Sequence, residues 1–175
     1  MSVSMDDFRQ ALGAWASGVN IVTTQLGDAR RGLTASAFSA VCAEPPIVLV
    51  CLNTATGTCK AVEETGWFAV NMLGAADQAL AEVFAGRTGL QGDDRFAHGL
   101  WQTGTTGKVP VLASALVALE CRVERIEHLG THAVAFGRIN AVHLNAQPPL
   151  VYQGGRFQTL LPAAITPPRL VSAAS

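Results

Sequence analysis

Apolar residues recur at Phe8, Leu12 and Trp15, the spacing of one helical face. Ser4 precedes them as a helix N-cap, and Asp6 and Asp7 stand where carboxylates favour the helix dipole. Gly18 reads as the stop. The period then changes. Val19 to Gln25 is β-branched and strand-like, and Leu26-Gly27-Asp28-Ala29 is a turn. Gly32 to Val41 is rich in small residues and hydroxyls, and Pro45-Pro46 interrupts the chain before the continuous apolar run Ile47 to Leu52, a buried strand. Thr58 to Thr65 predicts a short helix ending at Gly66, Trp67 to Leu73 a strand, and Ala75 to Phe84 a second longer helix closed by Gly86. Gly86 to Gly107 carries six glycines and reads as irregular. Leu112 to His128 predicts one long, bent strand. In its second half Leu119, Cys121, Val123 and Ile126 nearly alternate with Glu120, Arg122, Glu124 and Arg125. Gly130-Thr131 turns into the return strand His132 to Leu144, and Leu150 to Tyr152 is a last short strand. About six strands, two helices and antiparallel connections predict a mainly β fold, a barrel with flanking helices. Residues 1–161 are expected to form one domain, and 162–175 a loose tail.

Composition narrows the class. The 175 residues are 49% hydrophobic and only 14% charged, against about a quarter charged in a typical soluble domain. Disorder is excluded, because it requires low hydrophobicity and high net charge. No apolar run approaches the ~20 residues of a spanning helix. The missing charge calls for a large core, a buried subunit interface or an apolar ligand site. Net charge is −1, and Arg30-Arg31 is the only adjacent cationic pair. A nucleic-acid footprint is therefore not expected. The acidic start lacks a signal peptide's cationic and apolar regions, which points to the cytoplasm. Cys42, Cys51, Cys59 and Cys121 show neither CxxC pairing nor metal spacing, and are expected as thiols.

Familiar catalytic motifs are missing. No GxGxxG follows a strand, Gly104 to Lys108 lacks P-loop spacing, and HExxH and GxSxG are absent. Chemistry, if present, is expected to come from a cofactor. Five segments could serve one. Gly32-Leu33-Thr34-Ala35-Ser36-Ala37-Phe38-Ser39 offers hydroxyls among small side chains, so that a flat ligand could approach the backbone; from the pattern alone, ordinary barrel-strand packing explains it better. Asn53-Thr54-Ala55-Thr56-Gly57-Thr58-Cys59-Lys60 leads from a strand into a helix, which suits a phosphate or an ordinary cap. Arg87, after Phe84-Ala85-Gly86, could fork onto a phosphate or simply face solvent. His132, at a tight turn, could donate to a ligand or be structural. Tyr152, Arg156 and Phe157 offer ring faces and charge, or core packing.

Taken in order, Phe8-Arg9, Gly18 to Thr24, Gly32 to Ala37, Pro45-Pro46, Cys51-Leu52-Asn53, Phe68 to Asn71, Phe84 to Gly86, Asp94-Arg95-Phe96, Gly130 to His132 and Leu150 to Tyr152 resemble the short-chain flavin reductase family. The similarity spans about residues 5 to 160. It is strongest to the reductase components of two-component aromatic monooxygenases and to the flavin reductase of pyrimidine degradation. The resemblance implies a Greek-key split barrel that binds FMN or FAD, a homodimer, and reduction of flavin by NADH or NADPH. The reduced flavin would pass to a partner monooxygenase. It implies that Leu33, Thr34, Ala35, Ser36 and Ala37 line the isoalloxazine, and that Leu52 and Asn53 touch the ring or ribityl chain. Thr56 and Thr58 would hold the phosphate, and Phe84, Ala85, Gly86 and Arg87 would close that end. His132 would orient the nicotinamide, with Tyr152 and Phe157 nearby. No metal is expected. NADH is favoured over NADPH, because no basic cluster marks a 2′-phosphate site. Two other readings remain open here: a non-catalytic flavin-binding module, and an oxidase of a phosphorylated pyridoxine-type substrate on a related barrel, which would need a cationic substrate pocket. In the reductase reading, a dimer interface and an uncharged flavin slot account for the low charge.

Overall fold

The structure is a computed structural model that describes residues 3–160. The expected tail lies outside the described residues. Helix α1 (Met5–Ala14) is followed by β1 (Ser17–Gly18), β2 (Asn20–Leu26), β3 (Ala29–Ala35), β4 (Phe38–Ala43) and β5 (Pro46–Asn53). Next come α2 (Gly57–Thr65), β6 (Trp67–Met72), a 3-10 turn (Ala75–Asp77) running into α3 (Gln78–Phe84), and a second 3-10 segment (Gly92–Ala97). The chain ends in β7 (Trp101–Thr103), β8 (Pro110–Leu112), β9 (Val117–Leu129), β10 (His132–Leu144), β11 (Leu150–Gln153) and β12 (Arg156–Thr159). None of the described helices is long and apolar enough to cross a membrane.

Seven strands form the main sheet in the order β3-β2-β6-β9-β10-β5-β4. Laid flat, its outer strands would stand roughly 29 Å apart at ~4.8 Å per step. Yet the two outer strands are consecutive in the chain, joined only by Ser36 and Ala37. Three Cα steps reach at most ~11 Å. The sheet must therefore curl into a barrel, and Ser36-Ala37 crosses its split.

Two cores follow from the curl. Val22, Val50, Leu52, Phe68, Val70, Cys121 and Ala135 belong to one, while Ile21, Ala69, Phe84, Phe96 and Leu112 belong to the other. Neighbouring residues of β2 and β6 thus feed opposite cores, so both faces are buried and Val19 to Gln25 shows no alternation. Gly137 fits because its strand crosses Phe68: a Cβ there would lie 2.4 Å from the ring.

Several expectations are corrected. The first helix ends at Ala14, not Gly18; Trp15 is already extended, and Gly18 pairs with Val151 in β1. Phe8, Leu12 and Trp15 share a face, but that face is exposed. The long strand from Leu112 is two strands, because Asn145 Nδ2 donates to Ala113 O and Ala115 O and holds a turn between them. The second helix begins as a 3-10 turn, where buried Asp77 accepts from Gly74 N and Ser114 Oγ. The stretch Gly86 to Gly107 contains a 3-10 segment and β7, and β12 was not anticipated. The count rises to twelve strands and three α-helices among the described residues.

Candidate active site: a two-part cleft at the split of the barrel

The cleft begins where β3 stops. Gly32 allows this approach: a Cβ would stand 2.7 Å from the Phe84 ring. That ring is buried against Phe96 (centroids 5.0 Å, edge-on) and Trp101 (5.3 Å), so the last turn of α3 is pressed onto β3. Thr34 Oγ1 fastens the same contact by donating to Ala81 O at 2.8 Å. Phe84 therefore supplies the floor from below, and does not offer a free ring face.

One compartment, about 380 Å³, is lined by residues 33–37, Cys51, Asn53, Thr56, Phe84, Ala85, Arg95 and His132. Asn53 and His132 meet in register across β5 and β10. Asn53 Oδ1 accepts from Ala55 N at 2.9 Å, which turns the chain toward α2. Thr54 donates from N and Oγ1 to Thr131 O, both at 3.1 Å, tying the two strand ends together. His132 Nδ1 lies 3.0 Å from Thr131 Oγ1 and its ring is exposed to the cleft. Leu52 is not on this wall. It is 1% exposed in the barrel core, because alternation along β5 sends residues 51 and 53 to the cleft and 52 inward.

The second compartment, about 530 Å³, shares Leu33, Thr56 and Arg95 with the first and continues along Arg31, Gly57, Thr58, Gly86 and residues 89–92. Thr56 is the N-cap of α2: its Oγ1 donates to Asn53 O at 2.7 Å and accepts from Cys59 N at 3.2 Å. The N–H groups of Gly57 and Thr58 then have no partner within the helix. Lys60 lines neither compartment. The far wall is held by Arg95, whose guanidinium donates to Leu90 O (2.9 Å), Gly32 O (3.2 Å) and Phe84 O (3.3 Å). Arg30 binds Asp93 through Nε at 2.9 Å and Nη2 at 2.8 Å, and this pairing draws the Asp93 carboxyl down to about 2.

The cleft thus carries two guanidinium groups, Arg31 and Arg95, and no carboxylate in its lining. In a chain of net charge −1 that is a local cationic end on an otherwise uncharged slot. Two buried thiols, Cys59 and Cys121, lie outside this lining. Burial, then Glu63, pushes Cys59 up to about 11, and burial with Glu120 pushes Cys121 up to about 12. Among the described residues no cluster could hold a metal ion.

The remaining expected site residues separate. Arg87 does not line the larger compartment: it pairs with Glu82 at 3.0 Å and reaches the Tyr152 hydroxyl at 3.5 Å. Tyr152 and Phe157, edge-on at 5.2 Å, border a neighbouring cavity with Thr34, Ser36, Ala85 and Arg87, but not with His132. Ser36 lies between the two. Sequence reasoning gave no role to Arg31, Cys51 or Arg95. The signals were present: Arg31 in the lone cationic pair beside Gly32, Cys51 one step from Leu52, and Arg95 within the quoted Asp94-Arg95-Phe96.

Comparison with known proteins agrees with this architecture. The flavin reductase like domain matches residues 12–161. The chain is 39% identical over 146 residues to the NADH-dependent FMN reductase RutF of Escherichia coli O6:K15:H31, covering 83% of this chain and 87% of RutF. It is also 39% identical over 160 residues to RutF of Pseudomonas syringae pv. syringae, covering 91% and 88%. The NADH:FAD oxidoreductase SgcE6 of Streptomyces globisporus superposes with a TM-score of 0.84 at 30% identity, over 93% of this chain and 98% of that one. The chain belongs to the flavin reductase-like family, and its barrel is that family's split barrel. By class it is an NAD(P)H-dependent flavin oxidoreductase.

Proposed function

We propose that the two-part cleft binds FMN or FAD and that the chain reduces it with NADH, for use by a partner monooxygenase in the cytoplasm. The observation that carries this reading is the division of the cleft: small, uncharged walls at one end and two unneutralised guanidinium groups at the other. That donor set fits a flavin, whose ring is flat and whose tail is anionic. Bound there, the flavin supplies the redox chemistry, accepting hydride from the nicotinamide.

The protein's own residues do the positioning. Ala35, Ser36 and Ala37 let the ring approach backbone N–H groups closely, and those dipoles suit charge that develops on reduction. Asn53 presents its amide to the ring side. Thr56, Thr58 and Arg95 hold the first phosphate. His132 orients the nicotinamide within the ~3–3.5 Å needed for transfer. No side-chain acid is required for the hydride itself, and neither compartment has a carboxylate in its lining. Tyr152 and Phe157 form a neighbouring apolar wall beyond Ser36. A phosphorylated pyridoxine-type substrate would also need a cationic pocket, but here both arginines lie on one continuous cleft with the flavin ring wall.

The chain acts as a homodimer in this reading. Phe8 and Leu12 on α1 and Trp15 just after it, with Leu129, Val142 and Leu144 on the long hairpin, are exposed in the isolated protomer. Unpaired apolar faces of this kind are characteristic of subunit interfaces. The function is tested by anaerobic stopped-flow mixing of the protein and FMN or FAD with NADH. Bleaching of the oxidised flavin band is expected, and its slowing in His132→Ala with a raised KM for NADH supports the orienting role. No bleaching with either flavin and either nicotinamide overturns the reading.

A further inference from the structure

Of the two cleft arginines, Arg31 is the one absent from the smaller compartment. It lines only the larger compartment, past the point where Thr56 and Arg95 are shared. Its side chain crosses that space. Cδ and Nε lie 3.7 Å from where a Cβ on Gly57 would stand, and Nη1 lies 3.7 Å from the same point on Gly92. The group therefore stretches from the start of α2 to the opposite loop. Its Nη1 donates to Arg30 O at 2.9 Å, and it forms no ion pair among the described residues. The Asp93 carboxylate is committed to Arg30 on both oxygens and feels Arg31 only through space. Adjacent arginines have thus been given different tasks: one is neutralised as a strap, the other is left charged over a cavity.

The order of groups along the cleft suggests what that charge is for. The small-residue wall comes first, then Thr56 with Arg95, then Arg31. A ligand with one phosphate, its ring at residues 33–37, ends at the shared zone. A second phosphate on the same tail would continue into the 530 Å³ space beneath Arg31. A guanidinium fork suits a phosphate well, and its strength rises where opposing carboxylates are absent. We propose that Arg31 is a specificity-determining residue that reads the second phosphate of a flavin dinucleotide, favouring FAD over FMN. This rests on the flavin reading of the cleft and adds to it the choice between the two flavins.

Isothermal titration calorimetry with riboflavin, FMN and FAD tests it on the oxidised, full-length protein without turnover. FAD should bind more tightly than FMN to the wild type. Arg31→Ala should weaken FAD by roughly tenfold or more and FMN by about twofold at most, the scale of one charge-assisted contact. Arg31→Lys, which keeps the charge and the stem, should fall between. Equal losses for FMN and FAD would show that Arg31 serves the first phosphate and overturn the proposal, as would no change for either. A loss confined to competition by NADPH would assign Arg31 to the nicotinamide's extra phosphate and overturn it too. A wild type that binds no flavin removes the flavin reading as a whole, an outcome distinct from tight binding indifferent to Arg31.

Discussion

Two loops in this molecule are held by a single charged side chain, and they are held for different ends. Residues 104–107 close over Glu120, whose carboxylate accepts from Thr105 N (2.8 Å), Thr106 N (2.8 Å), Gly107 N (3.3 Å), both threonine hydroxyls and His143 Nε2 (2.8 Å). Glu120 is 0% exposed. Residues 85–92 close over Arg95, which donates to three carbonyls and still borders both compartments of the cleft. A buried carboxylate with its acceptor sites filled is a structural tie. A guanidinium that spends some donors on carbonyls and turns its charge toward an open space ties a loop and prepares a binding surface at once. Multiple hydrogen bonds to a charged group are therefore not enough to tell scaffold from site; what the charge faces decides.

The contrast can be broken most severely at Glu120. Glu120→Ala leaves three backbone N–H groups and His143 without their partner and should cost roughly 3–5 kcal/mol, the scale for removing one partner of a buried charged network. Flavin affinity of the folded fraction should be unchanged, as chemical denaturation and titration would show. The same group sets an acid limb. Burial opposes its ionisation, but hydrogen bonds from His143, Thr106 and Thr105 outweigh burial and draw its pKa down to about 2 from the ordinary 4.5. A depressed carboxyl stabilises the fold fully above its unfolded pKa and loses that contribution as pH falls toward the folded one. Thermal melts of the wild type should therefore fall between pH 4.5 and 2, and Glu120→Gln should flatten that limb.

Arg95→Ala should reverse the ranking. Its carbonyl partners border the cleft and can turn to water, so the stability loss is smaller, about 1–3 kcal/mol. FMN affinity should fall by roughly tenfold, while riboflavin, lacking the phosphate, changes much less. Equal weakening of both would reduce Arg95 to a loop tie like Glu120. Thr56→Ala is the smallest effect: about 1 kcal/mol from the lost cap, with rescue by Thr56→Ser, which keeps the hydroxyl.

Much of the scaffold can be read from local chemistry. Gly66 ends α2 in the left-handed region at φ 70°, as its position after Thr65 predicts. The turn at Gly130 joins two strands whose apolar patterns match, and Ser4 caps α1 through Asp7 N. What escaped depends on partners distant in sequence. Glu120 alternates with apolar neighbours and so reads as solvent-facing; it is buried because residues 104–107, hidden in a glycine-rich stretch, fold over it. Leu52 and Cys51 exchange roles because a buried strand does not announce which face meets the cleft. Arg31 and Arg95 carry no assigned role until β3, α2 and the loop after α3 are brought together. The small-residue wall at residues 33–37 is local in sequence and was visible as a segment that could serve a ligand. The cationic end is assembled from three separate segments and was not.

In the proposed reading one cleft holds the flavin, its ring at the strand-built end and its phosphate at the arginine-built end. A crystal structure of the protein with FMN or FAD bound tests this most directly. The isoalloxazine is expected against residues 33–37 with Asn53 and His132 at its edge, and the first phosphate between Thr56 and Arg95. A ring seated in the Tyr152–Phe157 cavity, or a phosphate away from both arginines, would contradict it.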